Sequence, residues 1–122
     1  MKYLTAKDVV AIHDDIINPN ELQGQAPDKS IQAVVNRVEN RVNYGLVSDV
    51  FELAACYAVC IAIGHAFNDA NKRTAFACMD LILYLNGIEL QYDTVEAGDM
   101  IRKAAQKQID ETDLSGWLKS KE

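Results

Sequence analysis

The chain has 122 residues, 49% hydrophobic and 25% charged, a size and balance that fit a single domain over residues 1–122 with one core and leave no room for a second of ordinary size. Its formal charge of −6 and pI near 4.8 exclude a general binder of nucleic acid or anionic membrane, since either needs a cationic face; any polyanion must be met locally. Met1 to Asp8 contains no apolar signal core, and the longest uncharged apolar stretch, Leu53 to Ile63, falls short of the ~18 residues of a membrane span, so the expected location is the cytoplasm.

In chain order the sequence reads as a string of helices. Thr5 is the expected N-cap of a first helix carrying Val9, Ile12, Ile16 and Ile17, and Asn18-Pro19 ends it, because the residue before proline disfavours the α conformation. Asn20 to Pro27 reads as a loop. From Asp28 a second helix carries Ile31, Val34, Val35, Val38 and Val42 on one stripe, closed by Tyr44-Gly45. A third, over about 48–63, starts at Ser48-Asp49 with Glu52 placed as in a capping box, is apolar nearly all round, and meets a left-handed stop at Gly64. A fourth, over about 71–86, carries Phe76, Met79, Leu81, Ile82, Leu83 and Leu85 and reads as its buried neighbour. Ile88 to Tyr92 alternates as a short strand would, Thr94 caps a helix to about Ile109, and Leu114, Trp117 and Leu118 mark a last short helix.

Cys56, Cys60 and Cys78 are odd in number and lie in apolar helical patterns, which reads as reduced, packed thiols. Cys56 and Cys60 share a helix face, but no second pair or nearby histidine completes a metal site in the sequence.

The chemistry is concentrated between the two apolar helices, in His65-Ala-Phe-Asn-Asp-Ala-Asn-Lys-Arg-Thr-Ala75. If one helix ends at Gly64 and the next begins near Asn71, the N–H groups of Ala70, Asn71, Lys72 and Arg73 point out of the helix start, where the macrodipole favours an anion. Lys72 and Arg73 oppose that dipole by ~0.3–1 kcal/mol each, so something negative should compensate them. Asp69 has two readings, an offsetting carboxylate or a ligand to Mg²⁺ bridging nucleotide phosphates. A neutral His65 imidazole is placed to accept a proton from an incoming hydroxyl, and Phe67 turns inward to anchor the loop. His13 is expected to make a polar contact within the fold or to support the site. A Walker A loop is excluded, because Gly64 lies eight positions before Lys72, no glycine stands directly before the lysine and no strand leads in. His13-Asp14 evokes a metal-dependent phosphohydrolase, but two histidines are too few for its ligands.

His65-Ala-Phe-Asn-Asp-Ala-Asn-Lys-Arg resembles the H-P-F-x-[DE]-G-N-G-R-x-x-R signature of Fic-domain proteins, and more closely the H-x-F-x-D-x-N-K-R-T form of the death-on-curing (Doc) toxins. Ala11 to Asp14, Arg37 to Tyr44, Asp49 to Glu52 and the Leu-Asn-Gly87 exit are similar to that branch too. The resemblance implies a compact all-α Fic-type bundle, with ATP and Mg²⁺ as cofactors. His65 would be the general base and Asp69 the Mg²⁺ ligand, with Asn71, Lys72 and Arg73 on the phosphates. Lys72 stands where AMP-transferring relatives have a glycine, and Phe76 where they have a second arginine; this substitution goes with the γ-phosphate facing the acceptor, hence with a kinase. The implied acceptor is a threonine of elongation factor Tu, whose phosphorylation halts translation. Ala66 replaces the usual proline, and Ile63 stands where related toxins often carry a basic residue. No inhibitory [ST]-x-x-x-E-[GN] helix is encoded in cis, so a separate Phd-like antitoxin is implied, its disordered tail folding into an apolar groove beside the site. An AMP transferase and a non-catalytic, antitoxin-binding co-repressor are the alternatives.

Overall fold

The computed structural model describes residues 1–122 as six helices and no strand: α1 (Ala6–Ile16), α2 (Ile31–Asn43), α3 (Val50–Gly64), α4 (Asn71–Leu85), α5 (Thr94–Ala105) and α6 (Glu111–Lys119). The all-α expectation holds. α3 is the axis. Eleven of its fifteen residues are buried, and it packs against α2, α4, α5 and α6, as its apolar circumference requires. α1 closes the other side, against α2 and α4. No helix is long and apolar enough to cross a membrane.

Local chemistry sets the helix starts. Thr5 and Asp8 form a reciprocal capping box on α1, and Asp110 and Asp113 form another on α6. Asp49 Oδ1 accepts from Glu52 N at 2.8 Å, while the Glu52 carboxylate takes the Ser48 hydroxyl instead of reaching back to the cap.

Several boundaries differ from the sequence expectations. α2 begins three residues after Asp28, which is left-handed (φ 63), and is capped by Ser30. α5 is capped by Asp93 rather than Thr94 and stops at Ala105 rather than Ile109, where left-handed Lys107 (φ 61) breaks it. Ile88 to Tyr92 is not a strand, since no other segment pairs with it. Gly87 (φ 78) reverses the chain, and Tyr92 fixes the crossing by donating to Asp80 at 2.8 Å and packing between Phe76 and Trp117.

Gly64 is not a left-handed stop. It is the last residue of α3, and a Cβ there would lie 2.8 Å from Val34 Cγ2, so the missing side chain permits close approach of α2 and α3. The left-handed residue is His65.

The core also contains a phenol. Tyr57 of α3, 1% exposed, donates to the Leu4 carbonyl at 2.8 Å and accepts from the Leu4 N–H at 2.9 Å, which fastens the N-terminal segment to the central helix.

Candidate active site

The bend between α3 and α4 is bracketed by two left-handed residues, His65 (φ 47, ψ 39) and Ala70 (φ 65, ψ 24), neither of them glycine. Each costs about 1–2 kcal/mol relative to a right-handed residue, so the surroundings must hold them. Phe67, 3% exposed, turns inward and stacks on the fully buried His13 of α1, with ring centroids 3.7 Å apart and planes 5° from parallel. The Asp69 carbonyl accepts from His13 Nε2 at 2.8 Å. Asn71 clasps the loop from the other end: its Oδ1 accepts from Phe67 N at 3.1 Å and its Nδ2 donates to Phe67 O at 2.9 Å. Buried Thr74 donates its hydroxyl to the Ala70 carbonyl at 2.7 Å.

The segment between α1 and α2 runs along the bend. Gln25 and Phe67 form an antiparallel bridge, Ala26 N donates to Ala66 O at 2.8 Å, and Asn68 N donates to Gly24 O at 3.1 Å. Asn68 Nδ2 adds a bond to Gln23 O at 2.8 Å. The bend is therefore a small layer tied by hydrogen bonds to the α1–α2 segment rather than a free loop.

The effect falls on the start of α4. Ala70 has no side-chain cap and no acidic residue lies in the first turn. The N–H groups of Asn71, Lys72 and Arg73 have no acceptor within the chain. A left-handed residue followed by helical ones aims successive N–H groups into one concavity, an arrangement that takes anions.

The groups the sequence singles out flank this helix start along the chain. His65 is exposed and its imidazole makes no hydrogen bond. Asp69 is half-buried; its Oδ1 accepts from Ala70 N at 2.9 Å, and its second oxygen has no partner. A carboxylate oxygen left open beside unpaired N–H groups fits a hard divalent cation shared with phosphate. Lys72 is exposed and forms no ion pair. The Asn71 side chain is committed to Phe67, so what it offers an anion is its backbone N–H.

Arg73 is ion-paired with Glu21 from the α1–α2 segment. The guanidinium holds the Glu21 carboxyl below the usual carboxylate range. Glu21 also accepts from Asn18 N at 2.9 Å, so it is fixed before it meets the arginine. Beside these cations a cavity of about 520 Å³ opens between α4 and α5, lined by Ile16, Lys72, Arg73, Phe76, Ile101 and Arg102 among others. Lined by both cationic and apolar side chains, it has the size and chemistry of a small-ligand cleft.

Sequence reasoning missed Glu21, Gln25, Asn68 and Thr74. Glu21 and the pairing segment carry no motif of their own. Thr74 was legible only as the last letter of the H-x-F-x-D-x-N-K-R-T pattern.

Known proteins resemble this chain in sequence. The pattern of the Fic/DOC family matches residues 3–83. Among curated relatives, "Protein kinase doc" of Escherichia phage P1 is 35% identical over 120 residues, 98% of this chain and 94% of the relative. "Toxin Doc" of Mycolicibacterium smegmatis is 33% identical over 71 residues, 57% of this chain and 55% of the relative. A helical scaffold, a signature placed on its α3–α4 bend and similarity along nearly the whole chain lead to one assignment: this protein belongs to the Fic/DOC family.

Proposed function

We propose that this protein is the toxin of a toxin–antitoxin pair and a protein kinase, transferring the γ-phosphate of ATP to a threonine hydroxyl of elongation factor Tu and so arresting translation in the cytoplasm. The observation that carries the reading is the uncapped start of α4, where three unpaired N–H groups, Lys72 and Arg73 converge next to the α4–α5 cavity. The phage relative's description as a protein kinase supports the same reading.

Each residue then has a part. The N–H groups of Asn71, Lys72 and Arg73 hold phosphate oxygens, and the two side-chain cations stabilise the charge that spreads over those oxygens during in-line transfer. His65 accepts the proton of the attacking hydroxyl. Phe67 and His13 keep that imidazole and the α4 start in register. Asp69 would hold Mg²⁺, which supplies charge neutralisation between phosphate groups when bound. Lys72 occupies space that a glycine leaves open, which favours donation of the terminal phosphoryl group over AMP. Restraint falls to a Phd-like antitoxin whose tail folds into an apolar groove beside the site.

The test is label transfer. With Mg²⁺, elongation factor Tu and ATP labelled at either the γ or the α phosphate, the account expects label on the factor from γ alone. Label from α identifies an AMP transferase, and no label from either, with toxicity retained in His65→Ala, identifies a binding protein without catalysis.

A further inference from the structure

Away from the bend, a second set of reactive side chains meets where α3, α6 and α2 converge. Cys56 and Cys60 lie one turn apart on α3, and Glu111 is the first residue of α6. Two Sγ atoms and a carboxylate oxygen of these residues all lie within 4.8 Å of one another. The thiols are 0% and 4% exposed, and Glu111 is half-buried. Arg41 of α2 borders the group: its Nε lies 2.8 Å from Glu111 Oε1, and its Nη1 lies 3.7 Å from Cys60 Sγ. A cavity of about 530 Å³, lined by Arg41, Val59, Ile63 and Glu111 among others, opens beside it.

We propose that Cys56, Cys60 and Glu111 form a binding site for a thiophilic divalent cation of the Zn²⁺ type, unrelated to the phosphate-transfer site. The donor set is the first reason. Two cysteine sulfurs and a carboxylate oxygen are zinc ligands, and tetrahedral coordination with Zn–S bonds of about 2.3 Å sets its sulfurs roughly 3.8 Å apart, inside the spread found here. Residues four apart on a helix share a face, so α3 already aims both sulfurs the same way.

Charge is the second reason. Two thiolates and a carboxylate carry three negative charges; a divalent cation and the Arg41 guanidinium carry three positive ones, so the loaded site is neutral where a buried net charge would be costly. Because a carboxylate has two oxygens, Glu111 can give one to the metal while the other keeps Arg41, which then orients the ligand. The two thiol protons leave to solvent on binding. The fourth position is completed from the cavity, by water or by a donor brought by a partner. A bound ion would tie α6 to the central helix.

The experiment uses the full reduced chain, stripped with chelator and titrated with Co²⁺ and then Zn²⁺. The expected result is one equivalent of Co²⁺ giving a near-ultraviolet thiolate charge-transfer band and the visible bands of tetrahedral cobalt, bleached by one equivalent of Zn²⁺. Cys56→Ser or Cys60→Ser lowers affinity at least about 100-fold and Glu111→Gln about 10-fold, while Cys78→Ser and His65→Ala leave it unchanged. Absence of the thiolate band in the wild-type chain overturns the proposal, and that reading requires no variant to fold. A band that survives loss of both Cys56 and Cys60, or that disappears with Cys78, overturns it as well.

Discussion

The carbonyl of Asp69 accepts a hydrogen bond from Nε2 of His13 at 2.8 Å, so a buried imidazole on α1 grips the residue just before the left-handed start of α4. His13 thereby does two jobs, since its ring also stacks on Phe67. His13→Ala removes both and should cost about 2–4 kcal/mol of stability, read by denaturant unfolding. His13→Phe keeps a ring against Phe67 and loses the hydrogen bond to the Asp69 carbonyl together with the 3.1 Å contact of Nδ1 with Asp14 Oδ1; it should retain most of the stability while slowing transfer about 10-fold. Wild-type rates in His13→Phe would show that the bend keeps its shape without this contact.

Glu21 restrains Arg73 without covering Lys72 or the free N–H groups of α4. Glu21→Gln should tighten ATP binding by about 2–5-fold, an effect that shrinks as salt is added, because the pair is solvent-accessible. The carboxyl is held below its ordinary range by the arginine, so the difference between wild type and variant persists through mildly acidic pH and closes only once Glu21 protonates. Nucleotide titration across pH and salt measures it; equal affinities at low salt and neutral pH would remove Glu21 from any role at the site.

At Gly64 the limit is space. A methyl group would meet Val34 Cγ2 at 2.8 Å, so Gly64→Ala should destabilise by about 1–3 kcal/mol through overpacking at the α2–α3 contact. Val34→Ala in the same chain should recover part of that loss, although each change alone is destabilising. A purely additive double mutant, measured by thermal or denaturant unfolding, would refute the steric account.

Tyr57 gives the protein a defined alkaline limit. Burial pushes its phenol up to about 12 from an ordinary value of 10, so the folded state keeps a proton that the unfolded chain releases. The contribution is complete below the ordinary value and is lost as pH rises through the folded one, on the order of 3 kcal/mol over that window. Burial and the Asp80 carboxylate raise the Tyr92 phenol as well, so tyrosinate absorbance should show two phenols ionising late, one of them lost in Tyr57→Phe, and that variant should lessen the pH dependence of stability there.

Much of this was legible in the sequence because hydrophobic pattern and packing agree. The Val34, Val35 and Val38 stripe faces the core, the all-round apolar α3 is the central helix, and the His65 to Arg73 run falls on one bend. What was not legible depends on contacts between distant segments. Left-handed His65 and Ala70 carry no glycine signal; tertiary bonds from His13, Asn71 and the Gln25 segment hold them. Glu21 meets Arg73, and Glu111 meets the paired thiols, only because helices that are remote in the chain pack side by side. The early end of α5 came from a single left-handed lysine that no periodicity reveals.

The most direct measurement of the central claim is the intact mass of elongation factor Tu after incubation with this protein, ATP and Mg²⁺, run beside His65→Ala. The account predicts a gain of one phosphoryl group with the wild-type chain and none with the variant. A gain of AMP, or an unchanged mass under conditions where the wild-type chain still arrests growth, would contradict it.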